Sequence, residues 1–331
     1  MSNKEEYIRI CKERDDVPVF MQPWWLDAVC AGKEWDVLLA REDSGNPETA
    51  KVIGAMPYLL RKRGKMRYIV MPQQTQQGGI LVFDDREQGD LALGDTRVAT
   101  AVCQDIKQQI DAMDLCYYYQ QYVPGSSCPG IMQGLGMKVK ERVTYRVDDL
   151  RDMNKVVEAF SKNKKRQLQK ALTLKVEHGL NIEAFYTFHK RCVEERKKKI
   201  SYSREFLLVV ERKASRAKQC EVLGIRNLDG ELCAAAFLVW DKQYMYYLIP
   251  CFSEQFKDSG AGALLVLEAM KLAREKGVKF DFEGSMIKGI ANHYKQFGST
   301  PDRYYSVEKL YKWWFWFGLV FNKIRNWKYG I

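Results

Sequence analysis

Apolar and polar residues alternate along residues 152–283 with a period that changes from helical to strand-like. Between residues 152 and 220, apolar side chains recur at helical spacing in three segments. The first lies at 154–173, and Asn181 and Ser203 are suitable N-cap residues for the second and third. Strand-like runs follow at 221–226, 231–240, 244–249 and 278–283, with a hairpin turn at 228–230 and a helical run at 263–276.

A similar order of elements occurs earlier in the chain, after strand-like runs at 35–41, 51–60 and 67–71. Runs for a helix, a strand, a short helix and a strand lie at 96–113, 115–119, 128–135 and 138–147. They match runs at 259–276, 278–282, 290–297 and 303–308, a shift of about 162–163 residues. The identity between the two sets is low, so a chance order is the alternative. A duplication predicts two sheet-centred units with a boundary near residues 148–155.

Composition indicates a globular protein without a metal or disulfide framework. The chain has 331 residues, of which 46% are hydrophobic and 29% charged. Its nine cysteines form no CxxC pair and there are only three histidines, which argues against a zinc site and for a reducing compartment. The charged N-terminus is unlike a signal peptide, and no apolar run approaches the roughly 20 residues that span a bilayer. We therefore expect a cytoplasmic protein.

A glycine-rich turn precedes the helical run at 263–276. A helix start leaves backbone N–H groups free at the positive end of the helix dipole, where a phosphate can bind. Lys257, Ser259, Gly260, Ala261 and Gly262 are therefore the candidate residues for a phosphate-bearing ligand. A plain helix start is the alternative. If the turn holds phosphate, we expect a valine in place of Gly260 to obstruct the ligand without disturbing the fold.

The turn and the segments after it resemble a known superfamily. The order Lys257, Gly260, Gly262 is similar to the phosphate-binding signature of GNAT acyltransferases, which begins with Gln or Arg where this chain has a lysine. Residues 281–286 and 293–298 resemble the FemABX-like branch, which includes CelD-type acetyltransferases and peptidoglycan aminoacyltransferases built from two GNAT units. The resemblance implies an α/β (α+β) chain of two tandem GNAT-like domains, each a mixed, mostly antiparallel sheet flanked by helices.

The two domains are expected to differ in function. At the positions of Gly260 and Gly262, the first half carries larger side chains from among residues 97–100, and it has Tyr118 and Gln120 where the second has acidic residues. We therefore interpret 1–150 as a degenerate domain that shapes the acceptor cleft. Residues 151–331 are interpreted as the active domain, with the donor turn, a basic helical insert and an aromatic tail at 309–331.

Acyl transfer to an amine needs a polarised donor carbonyl, a base and a proton donor. The strand run at 278–283 places Asp281 and Glu283 on one face by alternation, so we predict one of them as the base. Tyr294 is the candidate proton donor, and Ser285 and His293 are candidate acceptor-binding residues. An ion pair with Lys279, or capping of the next turn, is the alternative for the two carboxylates.

The donor carbonyl is expected to be polarised by a backbone N–H. The strand run at 244–249 is followed by Pro250-Cys251, where pairing is predicted to break. Such a break would free an N–H group close to the donor.

The net charge of +11 indicates an anionic partner. Basic residues concentrate at 162–166 and 196–199, which suits coenzyme A, tRNA or anionic lipid, while a solvated helix face is the alternative. We expect acyl-CoA as co-substrate and an amine acceptor, either a small molecule or lipid-linked. The alternatives are an aminoacyltransferase that uses aminoacyl-tRNA and a non-catalytic binding protein.

The C-terminal tail combines aromatic and basic residues. Residues 313–321 contain three tryptophans and three phenylalanines, and the basic residues around them are Lys309, Lys312, Lys323, Arg325 and Lys328. This composition is typical of segments in a membrane interface. A terminal helix that packs on the protein or across a dimer is the alternative.

Overall fold

The computed structural model of the protein describes residues 1–30, 35–42, 50–83, 96–284 and 286–318. The helices are α1 (Asn3–Glu13), α2 (Pro23–Val29), α3 (Thr96–Ala112), α4 (Cys128–Gly134), α5 (Met153–Glu158), α6 (Lys162–Lys170), α7 (Ile182–Glu195), α8 (Arg204–Arg216), α9 (Ala261–Glu275) and α10 (Lys288–Lys295). The strands are β1 (Trp35–Arg41), β2 (Val52–Arg63), β3 (Met66–Val70), β4 (Leu81–Val82), β5 (Tyr117–Gln121), β6 (Lys138–Val147), β7 (Lys175–His178), β8 (Cys220–Arg226), β9 (Leu232–Trp240), β10 (Tyr244–Phe252), β11 (Lys279–Asp281) and β12 (Thr300–Leu310).

The chain divides into two compact units. Unit 1 contains Met1–Arg142 together with residues 303–318, and unit 2 contains Val143–Asp302. The division therefore differs from a single cut near residue 150, because residues 303–318 group with the first unit. The reason is strand pairing: β12 runs antiparallel to β5, from Ser306 opposite Gln121 to Leu310 opposite Tyr117.

Unit 1 has a mixed sheet in the order β1-β2-β3-β5-β12, with β4 paired to β2. Only the β3–β5 pair in this series is parallel. The amphipathic helix α3 buries Val102, Ile106 and Ile110 in the same core as Tyr118. The first half thus contains the predicted order of helix, strand, short helix and strand, in α3, β5, α4 and β6.

Unit 2 has the strand order β11-β10-β9-β8-β7. The meander from β7 to β10 is antiparallel, β10 and β11 are parallel, and the end of β6 pairs with β11. Helix α9 packs Leu265, Val266 and Ala269 into the core. The predicted mixed, mostly antiparallel sheet flanked by helices is confirmed.

The helical segment of unit 2 differs from the prediction at one point. The run at 154–173 was predicted as one helix, but α5 ends at Glu158 and α6 begins at Lys162. The chain restarts because the hydroxyl of Ser161 caps α6, accepting a hydrogen bond from the N–H of Lys164 at 3.3 Å. Asn181 and Ser203 cap α7 and α8 as predicted. No helix in the described ranges is long and apolar enough to cross a bilayer.

Candidate active site

The glycine turn forms the start of α9. Gly260 is the N-cap residue and has left-handed backbone, with φ of 85°. Ser259 serves the turn itself, because its hydroxyl donates to the carbonyl of Phe256 at 2.7 Å and accepts from the N–H of Ala261 at 3.2 Å. The N–H of Gly262 has no acceptor among the described residues. One backbone donor at this helix start is therefore available to a ligand.

The two glycines of the turn differ in how closely neighbouring atoms pack against them. A Cβ on Gly260 would lie 2.1 Å from the carbonyl oxygen of Gln167, in α6. The packing of α9 against α6 therefore requires a glycine at this position, and the expectation that a valine would spare the fold is wrong. A Cβ on Gly262 would lie 3.2 Å from the ring of Phe252, a contact that a small shift of the ring relieves.

A pocket of about 350 Å³ opens beside the turn, within unit 2. Among the predicted donor residues, those that line it are Lys257, Gly260, Ala261 and Gly262. Ser259 is not part of the lining. Helix α6 contributes Asn163, Lys164 and Gln167, the end of β10 contributes Phe252 and Ser253, and α10 contributes His293 and Gln296. We call this cavity the donor pocket.

Lys164 is a buried cation in the wall of the donor pocket. Its side chain is 4% exposed, and its amine donates to Oε1 of Gln167 at 3.1 Å and lies 3.4 Å from Nδ1 of His293. No carboxylate within the described ranges forms an ion pair with it. Burial lowers the pKa of Lys164 to about 8. Burial, and next the charge of Lys164, lowers the pKa of His293 to about 4, so this ring is neutral at pH 7.

Ser253 adds a second polar group without a partner. Its side chain is 2% exposed, and its hydroxyl has no hydrogen-bond partner in the part of the chain that the structure describes. Because a buried hydroxyl is costly unless it is hydrogen-bonded, a ligand atom in the donor pocket is a natural partner. Ser253 was not among the predicted site residues, because it follows the strand-like run without any motif.

Lys257 lies at the edge of the donor pocket, where the family signature has Gln or Arg. Its amine is 3.2 Å from Oε1 of Glu254, in an exposed ion pair. Arg196 is held nearby, donating to the carbonyl of Phe252 at 3.1 Å. The basic segment at 196–199 thus begins at this edge.

Asp281 is a fully buried carboxylate with three donors. Its oxygens accept hydrogen bonds from the hydroxyl of Thr144, from Nε of Arg146 at 2.8 Å and from the N–H of Glu283 at 2.8 Å. Arg146 also donates to Asp302 at 2.6 Å, and its guanidinium lies 3.9 Å from the centre of the Tyr244 ring. Asp281 therefore forms a structural ion pair, which was the alternative to a catalytic role, but its cation is Arg146 and not Lys279.

Lys279 pairs with Asp148 at 3.5 Å instead.

Glu283 lies beyond the strand rather than within it. Strand β11 ends at Asp281, and Glu283 has left-handed backbone with φ of 55°, so the prediction that alternation places both carboxylates on one face is wrong. The side chain of Glu283 is nonetheless buried, at 8% exposure. Ser285 lies outside the described residues.

Tyr294 lies close to the two carboxylates. Its ring stacks on Phe282 with 4.6 Å between ring centres. Burial raises the pKa of Tyr294, and the charges of Glu283 and Asp281 raise it further, so the phenol stays protonated at neutral pH. Helix α10 therefore carries His293 in the donor pocket and Tyr294 beside the carboxylates.

Strands β10 and β11 separate close to these residues. Their parallel pairing ends at Tyr246 opposite Asp281, and β10 has a bulge between Tyr246 and Ile249. The predicted break at Pro250 is wrong, because Pro250 and Cys251 remain paired to β9. The backbone that has lost its β11 partner is instead at residues 247–249. The hydroxyl of Tyr247 is buried here and has no partner among the described residues.

Comparisons with known proteins agree with this geometry. Residues 138–296 match the acetyltransferase (GNAT) domain family. No curated protein sequence matches the chain. A solved structure of FemX is similar, with a TM-score of 0.66 and 14% identity, over 92% of this chain and 96% of that chain.

Two further solved structures are similar in fold. A conserved protein of unknown function from Bacteroides thetaiotaomicron has a TM-score of 0.55 at 11% identity, over 86% of this chain and 90% of that chain. The C-terminal domain of a putative lysylphosphatidylglycerol synthetase from Agrobacterium fabrum has a TM-score of 0.50 at 14% identity, over 83% and 84% of the two chains. At these identities the likeness concerns the fold, and the fold predicted from the glycine turn and residues 281–298 is confirmed.

Proposed function

We propose that the chain is an acyltransferase that acylates an amine, because residues 138–296 match the acetyltransferase (GNAT) domain family and the fold is similar to that of FemX. In this proposal the donor is acyl-CoA and the transfer takes place in a direct ternary complex. Unit 1 carries larger side chains, from among residues 97–100, at the positions of Gly260 and Gly262, and it is assigned to acceptor recognition. The observation that carries the proposal is the set of donors around the donor pocket, which includes a buried cation that has no carboxylate partner among the described residues.

Three donors of different chemistry face the same cavity. They are the amine of Lys164, the hydroxyl of Ser253 and the N–H of Gly262 at the start of α9. A buried cation without a carboxylate is costly to the free protein, and an anion in the pocket offsets that cost. A phosphate accepts hydrogen bonds on several oxygens at once, so it suits this set better than a neutral or cationic group.

The acid and base groups follow from burial and position. In the reaction the amine nitrogen attacks the thioester carbonyl carbon, the carbon–sulfur bond breaks, and the ammonium proton must leave. Glu283 is proposed to accept that proton, and Asp281 positions it by holding its backbone N–H. Tyr294, kept protonated by burial and by these carboxylates, is proposed to donate a proton to the leaving thiolate.

A direct transfer is preferred to a covalent enzyme intermediate. Cys251 lies in β10, one residue before Phe252 of the donor pocket. Its thiol is buried and donates to the carbonyl of Ala235. Burial raises its pKa well above the ordinary value, so the nucleophilic thiolate is disfavoured. This environment supports attack by the acceptor amine on the donor itself.

A second candidate function is aminoacyl transfer from aminoacyl-tRNA. The observation in its favour is the basic surface of α6, where Lys162, Arg166 and Lys170 are exposed on the helix that supplies Lys164 to the donor pocket. Together with the basic segment at 196–199, it forms a surface for an extended phosphate backbone. The similarity to a putative lysylphosphatidylglycerol synthetase makes a lipid-linked acceptor part of this candidate.

A thermal-shift series with acetyl-CoA, longer acyl-CoAs, free CoA and aminoacyl-tRNA tests the proposal. A ligand at about 100 times its Kd stabilises the folded state by about 2.7 kcal/mol. We expect this stabilisation from acyl-CoA, followed by release of CoA when amines are added. Stabilisation by aminoacyl-tRNA alone would favour the second candidate. Binding of acyl-CoA without turnover on any amine would favour the non-catalytic interpretation.

A further inference from the structure

The segment after β12 exposes a dense set of aromatic side chains. Trp313 is 74% exposed, Trp316 52% and Phe317 60%, and Trp314 is also exposed. Large apolar side chains seldom face water in such a group unless they meet a partner. We call residues 313–317 the aromatic segment.

Its position is set by one buried ring and two polar contacts. Phe315 is buried and packs against Tyr68 and Tyr117, with ring centres 5.3 and 6.0 Å apart. Just before it, Tyr311 donates to Asp111 at 2.7 Å and Lys312 pairs with Asp114 at 2.8 Å. Packing on the protein therefore accounts for Phe315, whereas the three tryptophans and Phe317 face outward.

The charge around the aromatic segment distinguishes between the partners that could cover it. From Lys309 to the C-terminus, the sequence has five basic residues and no aspartate or glutamate. Lys309 and Lys312 pair with Asp111 and Asp114, and the sequence after them adds three basic residues and no acidic one. Two copies of this segment would therefore carry like charge, which disfavours a self-paired interface. An anionic lipid surface attracts the cations, and tryptophan is the residue that prefers the boundary between lipid headgroups and acyl chains.

We propose that the aromatic segment is a binding surface for anionic lipid bilayers, with Trp313, Trp316 and Phe317 inserted at the headgroup level. Phe315 positions the segment on unit 1, and the net positive charge of the sequence from Lys309 onward attracts the acidic headgroups. The inference goes beyond the proposed acyl transfer and does not depend on it, because it concerns where the protein binds rather than what it catalyses.

Vesicle co-sedimentation of the full chain tests this inference. We expect binding to vesicles that contain phosphatidylglycerol, weak binding to pure phosphatidylcholine, and loss of binding at about 1 M salt, where the Debye length is about 3 Å. The triple variant Trp313→Ala, Trp316→Ala, Phe317→Ala should bind at least about tenfold more weakly than the parent, since affinity scales with inserted apolar area. The tryptophan emission of the parent should shift to the blue with vesicles.

A matched control removes exposed apolar side chains elsewhere. Leu172 and Leu228 are 78% and 70% exposed, so Leu172→Ala, Leu228→Ala should bind vesicles as the parent does. Both variants should keep the parental melting temperature and turnover on a soluble acceptor, which separates lipid binding from catalysis. The inference is overturned if the parent does not bind, or if the triple variant binds equally well. It is also overturned if light scattering shows a dimer that the triple variant abolishes.

Discussion

The amine of Lys164 lies 3.4 Å from Nδ1 of His293, on the wall of the donor pocket. The two groups cannot both be cationic at this distance without repulsion, and the lowered pKa of His293, about 4, leaves the ring neutral. The imidazole therefore accepts from the amine, and the positive charge of the pair resides on Lys164. This arrangement keeps one cation in the pocket, ready for an anionic ligand.

Replacement of Lys164 by methionine should weaken donor binding. The variant keeps the length and apolar stem of the side chain but removes its charge. Loss of a charge-assisted hydrogen bond is worth about 1.5–3 kcal/mol, so calorimetry should show CoA affinity reduced by roughly 10- to 100-fold. Lys165→Met is the control, because the amine of Lys165 instead caps the carbonyl of Glu158 at 2.8 Å. Equal affinities for both variants would contradict the assignment.

The pH dependence of donor binding follows from the same residue. Burial lowers the pKa of Lys164 to about 8 in the folded protein, and a bound anion favours the charged amine. CoA affinity should therefore fall as the pH is raised through about 8, and this fall should be absent in Lys164→Met. Above pH 8 the amine of Lys164 is mostly neutral in the folded protein but still protonated in the unfolded chain. Stability therefore rises with pH in this range, and the free energy of unfolding of the parent should increase relative to that of the variant between pH 7 and 9. Urea titrations at both pH values measure this.

Alanine substitution of Gly260 should mainly affect stability, whereas that of Gly262 should mainly affect CoA binding. Gly260→Ala puts a Cβ 2.1 Å from the carbonyl of Gln167 in left-handed backbone, so it should lower the melting temperature markedly. Gly262→Ala only displaces the Phe252 ring, so it should retain the fold and weaken CoA binding. Gly289→Ala is the control, since nothing lies within 4 Å of its Cβ position. A Gly260→Ala protein as stable as the parent would contradict the requirement for glycine where α9 packs against α6.

Substitution of Asp281 should mainly lower stability, whereas substitution of Glu283 should mainly lower kcat. Asp281→Asn leaves Arg146 buried without its main counter-ion, which should cost about 3–5 kcal/mol in the free energy of unfolding. Glu283→Gln should keep most of the stability and lose about 10²–10⁴-fold in kcat, the contribution of a general base, with CoA affinity retained. Chemical denaturation and steady-state kinetics give the two numbers. Parental turnover in Glu283→Gln would place the base elsewhere.

Tyr294→Phe should lower kcat without changing donor affinity. The substitution keeps the stacking on Phe282 and removes only the phenol proton that the thiolate would take. A loss of about 10²-fold or more is expected for a general acid. Tyr247→Phe is the comparison, because its buried hydroxyl has no partner among the described residues and its removal should not destabilise the protein. If Tyr247→Phe loses turnover and Tyr294→Phe does not, the proton donor is Tyr247 and not Tyr294.

Much of the fold could be predicted because its elements have strong local signals. The caps at Asn181 and Ser203 and the glycine turn before α9 were placed correctly, since each depends on a few neighbouring residues. Four elements, α1, α2, β4 and β7, were not predicted, although the capping box of Ser2 and Glu5 is a local signal for the start of α1. The break between α5 and α6 was missed, because apolar spacing continued across it and the cap at Ser161 was overlooked.

The candidate site was predictable only in part. Lys164 could have been singled out, because it lies four residues before Leu168 and thus on the buried face of α6, yet a basic run conceals that spacing. Ser253 and Tyr247 have no sequence signal, since an unpartnered hydroxyl is a property of its surroundings.

The sequence by itself determined the local elements, the helix caps, the glycine turn and the basic, aromatic composition of the C-terminal segment. These follow from steric and hydrogen-bonding preferences that act over a few residues. Only the tertiary structure decided that Asp281 pairs with Arg146, that Gly260 makes room for the carbonyl of Gln167, and that β12 pairs with β5. Each joins residues far apart in sequence, and local preferences carry no information about which distant groups will meet.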